Sequence, residues 1–452
     1  MKKICRILIQ ILAIFLFAAC DENSVSWQVK TGDPEIMHRS IKQITDVIVH
    51  DIFSPPVAAR IYAYVSVAGY EAGVPGDKRF QSLAGQLNGL TAVPQPDPGL
   101  EYCYRLASVH AMLKVAKVLV FSEEKIESFH DEILLQFKEM GMPEDVYDRS
   151  IEYGSKVAEH VVSWSEADNY KQTRSFPKYS IVDDPSTWKP TPPAYMDAVE
   201  PHWNELRTFV IDSATQFTPV PPTQFAIVEG TRFFDEALEV YTIGKNLSEE
   251  QREIAFFWDC NPFMLNVKGH VMFATKKISP GGHWMNIAHV ACKKANADFQ
   301  ESAEAYALVS LSLIDGFISC WDEKYRSRLV RPETYINQYI DEDWVPILQT
   351  PPFPEYTSGH SVISGSAAVA LTNLFGDNFS FVDSTEIEFG MNSRSFNSFY
   401  HASEEAAVSR LYGGIHYRPA IDNGVTQGKS IGEFIHEKIS TRVLQNVKAK
   451  IQ

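Results

Sequence analysis

From Ala303 to Trp321 the chain reads AEAYALVSLSLIDGFISCW, an almost unbroken apolar run at helical spacing. A helix that is apolar nearly all round has no face for water, so other elements must enclose it. The neighbouring segments have the pattern to do so. Val57, Ile61, Val65, Ala68 and Ala72 mark one face of a helix that Ser-Pro-Pro introduces, proline being tolerated in a first turn. Ile126, Phe129, Ile133, Leu134 and Phe137 repeat the pattern after Ser122 and stop at Gly141 and Pro143. Ser248 and Gln251 have capping-box spacing before another helix. Strand-like alternation is scarce, and the reading is an all-α protein.

At 452 residues the chain exceeds the roughly 250–300 at which a single core stops growing. Two helical bundles are expected, 34–168 and 203–445, joined by the proline-rich, aperiodic linker 169–202. The N-terminus MKKICRILIQILAIFLFAAC has a basic start and an apolar stretch too short to span a membrane as a mature helix. Phe17-Ala18-Ala19-Cys20 resembles a bacterial lipobox. The expectation is a signal peptide over 1–20, lipidation at Cys20 and a polar tether over 21–33. That implies an exported lipoprotein on the periplasmic or cell-surface side of a bacterial membrane. Net charge is -16, which argues against general affinity for nucleic acid or anionic lipid surfaces. Cys103, Cys260, Cys292 and Cys320 are too widely spaced to suggest a disulfide framework, and no Cys-x-x-Cys or His-rich tract points to zinc or iron.

Chemistry concentrates in three segments of the second half. CWDEKYRSRLVRPETY places Lys324 and Arg331 almost two helical turns apart, on one face, with Pro332 bending or ending the helix at Arg331. In EYTSGHS, Ser358 suits a helix N-cap and Gly359 lets a ligand approach the backbone. His360 then sits in the first turn, where free N–H groups and the dipole favour an anion. In SRLYGGIHYRPAIDNG, Arg410 precedes a Gly-Gly turn and His416. Singly, these are a solvated basic face, a capped helix and a core histidine. Together they are parts of a site for a tetrahedral oxyanion.

Lys-six-Arg-Pro, Ser-Gly-His and Ser-Arg-five-His resemble the signature shared by vanadium-dependent haloperoxidases and type-2 phosphatidic acid phosphatases. SPPVAARIYAY, WKPTPPAY, EPHW, PPFPEYTSGH and RLYGGIHYR are similar to the bacterial haloperoxidase branch, so the resemblance covers about residues 50 to 435. It implies vanadate as cofactor, with hydrogen peroxide, halide and a small organic molecule as substrates. Lys324, Arg331 and Arg410 would neutralise vanadate oxygens, and Ser358 and the Gly359 N–H would add hydrogen bonds. His416 would be the axial vanadium ligand, His360 the acid–base residue, and Lys324 the group that polarises peroxide. Trp321 and Phe353 would flank the halide. Two positions depart from the pattern. Thr357 replaces the usual proline, which should only loosen the turn, and Ala420 stands where the phosphatases have an Asp that orients the last histidine. The same pocket with phosphate would instead serve an acid phosphatase working through a phosphohistidine at His416. A non-catalytic oxyanion-binding lipoprotein is the third reading.

Overall fold

The structure is a computed structural model that describes residues 26–262, 264–268 and 271–443. The expected signal peptide with Cys20, and residues 21–25 of the expected tether, lie outside the described residues. The chain is built of helices. In the first half these are α1 (Glu35–His50), α2 (Pro55–Gly73), α3 (Tyr104–Leu119), α4 (Glu123–Glu139) and α5 (Glu144–Glu166). In the second half they are α6 (Arg232–Lys245), α7 (Glu249–Phe257), α8 (Pro280–Ala295), α9 (Phe299–Ser327), α10 (Pro332–Tyr339), α11 (Gly359–Phe375), α12 (Phe399–Tyr412) and α13 (Arg418–Lys438). Two small antiparallel sheets accompany them. β1 (Met264–Lys268) pairs with β2 (Val271–Thr275), and β3 (Phe381–Asp383) pairs with β4 (Arg394–Phe396).

The apolar run seen in the sequence is the centre of α9. Every residue from Ala303 to Lys324 except Leu308 is buried, and α2, α8, α11 and α13 pack around the helix. Asp298 and Glu301 close a capping box at its start. It ends at Ser327, where Arg328 takes a left-handed conformation with φ 52°. A single apolar cluster runs from Ile36 to Ile439 and includes residues of both halves.

Polar groups pin this core at defined points. Asp315, within α9, accepts the backbone N–H groups of Phe209, Val210 and Ile211 at 2.8, 2.7 and 3.0 Å. It thereby anchors the loop that follows the proline-rich segment. In the first half Arg60 on α2 donates to Asp168 at 2.6 Å, and Tyr64 donates to the same oxygen. Both ions are buried, so each relies on the other.

Close helix contact sets the position of α11. A Cβ at Gly428 on α13 would lie 2.0 Å from the Val362 carbonyl oxygen of α11, so only glycine permits this approach. Capping follows the sequence at Ser248, whose side chain and Gln251 complete the box, and at Ser358. Ser122 differs, because its hydroxyl donates to Asp51 rather than capping α4.

Candidate active site

The three chemical segments converge on one small cavity between α9, α11 and the turn between α12 and α13. Its volume is about 40 Å³, and Trp321, Phe353, Gly359, His360, Arg410 and His416 are among its lining residues. That is room for a few waters or one compact oxyanion.

Ser358 starts the wall by capping α11, its Oγ accepting the Ser361 N–H at 3.3 Å. The hydroxyl accepts locally and keeps its own O–H to donate, and Gly359 opens the helix beneath the Trp321 ring, where a Cβ would sit 3.5 Å from the indole. His360 follows, with a buried Nε2 that has no hydrogen-bond partner among the described residues. Burial first, then Arg410 and His283, hold its imidazole well below the ordinary pKa, so it is neutral.

His416 is also buried and neutral. Burial lowers its pKa strongly, and Arg331, Lys324 and Arg410 add to the effect. Its Nδ1 lies 2.8 Å from Glu355 Oε1, and Arg331 Nη1 lies 3.2 Å from its Nε2. A carboxylate on Nδ1 requires the proton there, which leaves the Nε2 lone pair facing the arginine. Glu355 also accepts the Tyr417 N–H at 2.9 Å. Burial pushes its pKa up to about 7, against the pull of Arg331 and Lys324. Sequence reasoning missed this residue. It sought the orienting carboxylate after the last histidine, at Ala420, whereas the fold supplies it from just before Ser358. The Glu in PPFPEYTSGH was the available signal, but nothing in the chain order ties it to His416.

The cations divide into two kinds. Arg410 lines the cavity, with Nη2 donating to Trp258 O at 2.7 Å and Nε to Ser409 Oγ at 2.9 Å. Arg331 stands behind His416. Its Nε and Nη1 donate to Phe353 O and Ile415 O, both at 2.9 Å, while Nη2 is buried without a partner among the described residues. Burial depresses its pKa to about 10.

Lys324 and Arg331 do not share a helical face as their spacing suggested. α9 stops at Ser327, and Arg331 is extended, with ψ 151°, as the residue before α10. The loop, not helical periodicity, brings the two cations together. Lys324 is not among the lining residues of the cavity. Its ammonium donates to the carbonyls of Pro354, Glu355 and Thr357 at 3.0, 2.9 and 2.5 Å, and burial lowers its pKa to about 7. It braces the segment that presents Ser358. Thr357 is likewise tied down rather than loosened, its hydroxyl donating to Gln427 Oε1 at 2.7 Å. Trp321 and Phe353 meet at the cavity with ring centroids 4.9 Å apart.

These features fit a bound oxyanion such as vanadate. Lys324 and Arg331 are buried beside Glu355 and Arg410 beside Asp259, and among the described residues the Arg331 Nη2 donor is unpaired. An anion held among them would accept from that donor and offset the surplus of positive charge.

Fold and site together define an enzyme of the helical oxyanion-binding class. Residues 304–445 match the family model described as the VCPO second helical-bundle domain. The structure is similar to that of the first bacterial vanadium-dependent iodoperoxidase, at 51% identity and TM-score 0.86, covering 90% of this chain and 97% of that one. It also shares its fold with holo and apo forms of a bacterial vanadium-dependent chloroperoxidase. Both are 16% identical, with TM-scores of 0.65 and 0.64, and the matches cover 86% and 85% of this chain and 93% and 95% of those. No curated protein matches the sequence. The chain belongs to the bacterial vanadium-dependent haloperoxidases.

Proposed function

We propose that this haloperoxidase holds vanadate through His416 Nε2 and oxidises iodide with hydrogen peroxide. The observation that carries the site assignment is the Glu355–His416 pair. It presents a neutral imidazole lone pair, with Arg331 at 3.2 Å, in one small cavity that Arg410 and His360 also line. Iodide is chosen because the similar structure at 51% identity is an iodoperoxidase.

Vanadate, when bound, supplies Lewis acidity that activates peroxide without a change in its own oxidation state. The chain's own residues do the rest. Glu355 holds His416 in the tautomer whose Nε2 lone pair can bind a metal. Arg331 Nη2 and Arg410 offer charge-assisted hydrogen bonds to the anion. His360, neutral and with Nε2 open, takes a proton from entering peroxide and returns it to the leaving oxygen. Lys324 acts chiefly by fixing the 354–357 segment. Trp321 and Phe353 exclude water from the side where halide approaches.

Glu355 also supplies what phosphoryl transfer to His416 would need, so the missing Asp at Ala420 no longer argues against a phosphatase. The family favours the peroxidase. Metal-stripped protein titrated with orthovanadate should gain iodide oxidation in step with vanadate, and His416→Ala should abolish it. Hydrolysis of a chromogenic phosphate ester that vanadate inhibits, without halide oxidation, would replace this reading.

We further propose that the chain is exported and lipidated at Cys20, on the lipobox-like Phe17-Ala18-Ala19-Cys20. Intact-mass measurement of membrane-extracted protein should find cleavage before Cys20 and a diacylglyceryl mass that Cys20→Ser removes. An unmodified, uncleaved N-terminus would refute it.

A further inference from the structure

We propose that Cys260, His283 and Glu386 form a second, divalent-metal site, for zinc by its ligand chemistry, beside the oxyanion cavity. The three residues come from the turn after α7, the first turn of α8 and the short turn after β3, and all are buried. Their ligand atoms converge. Cys260 Sγ lies 3.4 Å from His283 Nδ1 and 3.9 Å from Glu386 Oε1, and His283 Nδ1 lies 3.2 Å from the same Glu386 oxygen. Tetrahedral zinc with ordinary bond lengths needs edges of about 3.6 Å from sulfur to nitrogen or oxygen, and about 3.4 Å from nitrogen to oxygen. The observed triangle is within a few tenths of an ångström of that face.

The surroundings are those of a metal-bound histidine. His283 Nε2 is 2.7 Å from Asp383 Oδ2, which fixes the proton on Nε2 and leaves Nδ1 as the ligand nitrogen. Asp383 is itself held by the N–H and hydroxyl of Thr385 at 2.9 and 2.6 Å. Trp258 stacks on the imidazole with centroids 4.5 Å apart and sets the ring plane.

Cys260 also lines the oxyanion cavity with His360 and Arg410, so the ion would clamp one wall of that cavity to β3.

The test reads metal rather than turnover, so it stands or falls separately from the haloperoxidase reading. The purified chain, free of vanadate and dialysed against a chelator, is titrated with Co²⁺ and then Zn²⁺. The expected result is saturation at one Co²⁺ per chain with a thiolate-to-cobalt charge-transfer band and tetrahedral visible bands. One equivalent of Zn²⁺ should displace it. Cys260→Ala should remove the charge-transfer band, Glu386→Gln should weaken binding at least tenfold while keeping the band, and Cys292→Ala should change neither. If Cys260→Ala does not fold, the wild-type stoichiometry and band together with Glu386→Gln decide the matter. Absence of saturable one-to-one binding, or a spectrum without thiolate ligation, would overturn the site and leave Cys260, His283 and Glu386 as a hydrogen-bonded core cluster.

Discussion

His416 shows how much a single residue depends on its partner. An imidazole binds a metal only through a nitrogen without a proton, and Glu355 decides which nitrogen that is. Glu355→Ala removes the charged acceptor on Nδ1 and should weaken vanadate binding by about 10–100-fold. Orthovanadate titration of the stripped variant, followed by iodide oxidation, measures it, and an unchanged midpoint would deny Glu355 an orienting role. Asp315 makes the same point for stability. Replacing it with alanine leaves three buried N–H groups of residues 209–211 unpaired, at about 1–3 kcal/mol each. Asp315→Ala should therefore lower ΔG of unfolding by roughly 3 kcal/mol or more, readable in a urea titration.

At the scale of elements, the active site depends on how closely helices approach. α11 carries Ser358 to His360 at its start, and α13 lies against it through glycine. Gly428→Ala places a methyl 2.0 Å from a backbone carbonyl that cannot rotate away, so the helices must part. The expected cost is at the upper end of the about 1–3 kcal/mol typical of overpacking, seen as a lower Tm. Vanadate affinity should fall with it, because the cap of α11 moves relative to His416. The break between α9 and α10 matters equally, since an uninterrupted helix through Arg331 would not place that side chain against His416.

Across the whole molecule, several buried histidines make stability depend on pH. Burial, with neighbouring His289, lowers His38 to about 3, and burial with His130 lowers His110 to about 3. His130 falls to about 4. His110 Nδ1 and His130 Nε2 are 2.9 Å apart, a bond that needs one proton and cannot hold two. These groups stay neutral in the fold but bind protons in the unfolded chain below about pH 6.5. The unfolded state then carries more protons, so stability present above pH 6.5 is lost as pH falls towards 4. For three such sites the slope is up to about 4 kcal/mol per pH unit. Buried carboxyls such as Glu355 act in the opposite sense, so the check is a variant: His110→Gln should lose less Tm than the wild type between pH 7.5 and pH 5, and an equal loss would contradict the burial of that ring.

The sequence by itself determined the class of fold, because a helix as apolar as α9 requires an enclosing bundle. It also determined which segments carry the chemistry. Local rules reach that far: Ser358 caps a helix within four residues of itself, and Pro332 marks the end of another. Residues whose partners are distant in the chain were decided only by tertiary structure. Glu355 meets His416, Asp315 meets Phe209, and His283 meets Asp383 across long separations, and no periodicity encodes such meetings. Lys324 and Arg331 were named from the sequence, yet their relation was set by the turn at Arg328 and not by helical spacing. Desolvation, which keeps His360 and His416 neutral, belongs to the packed core as a whole and exists only once the chain has folded.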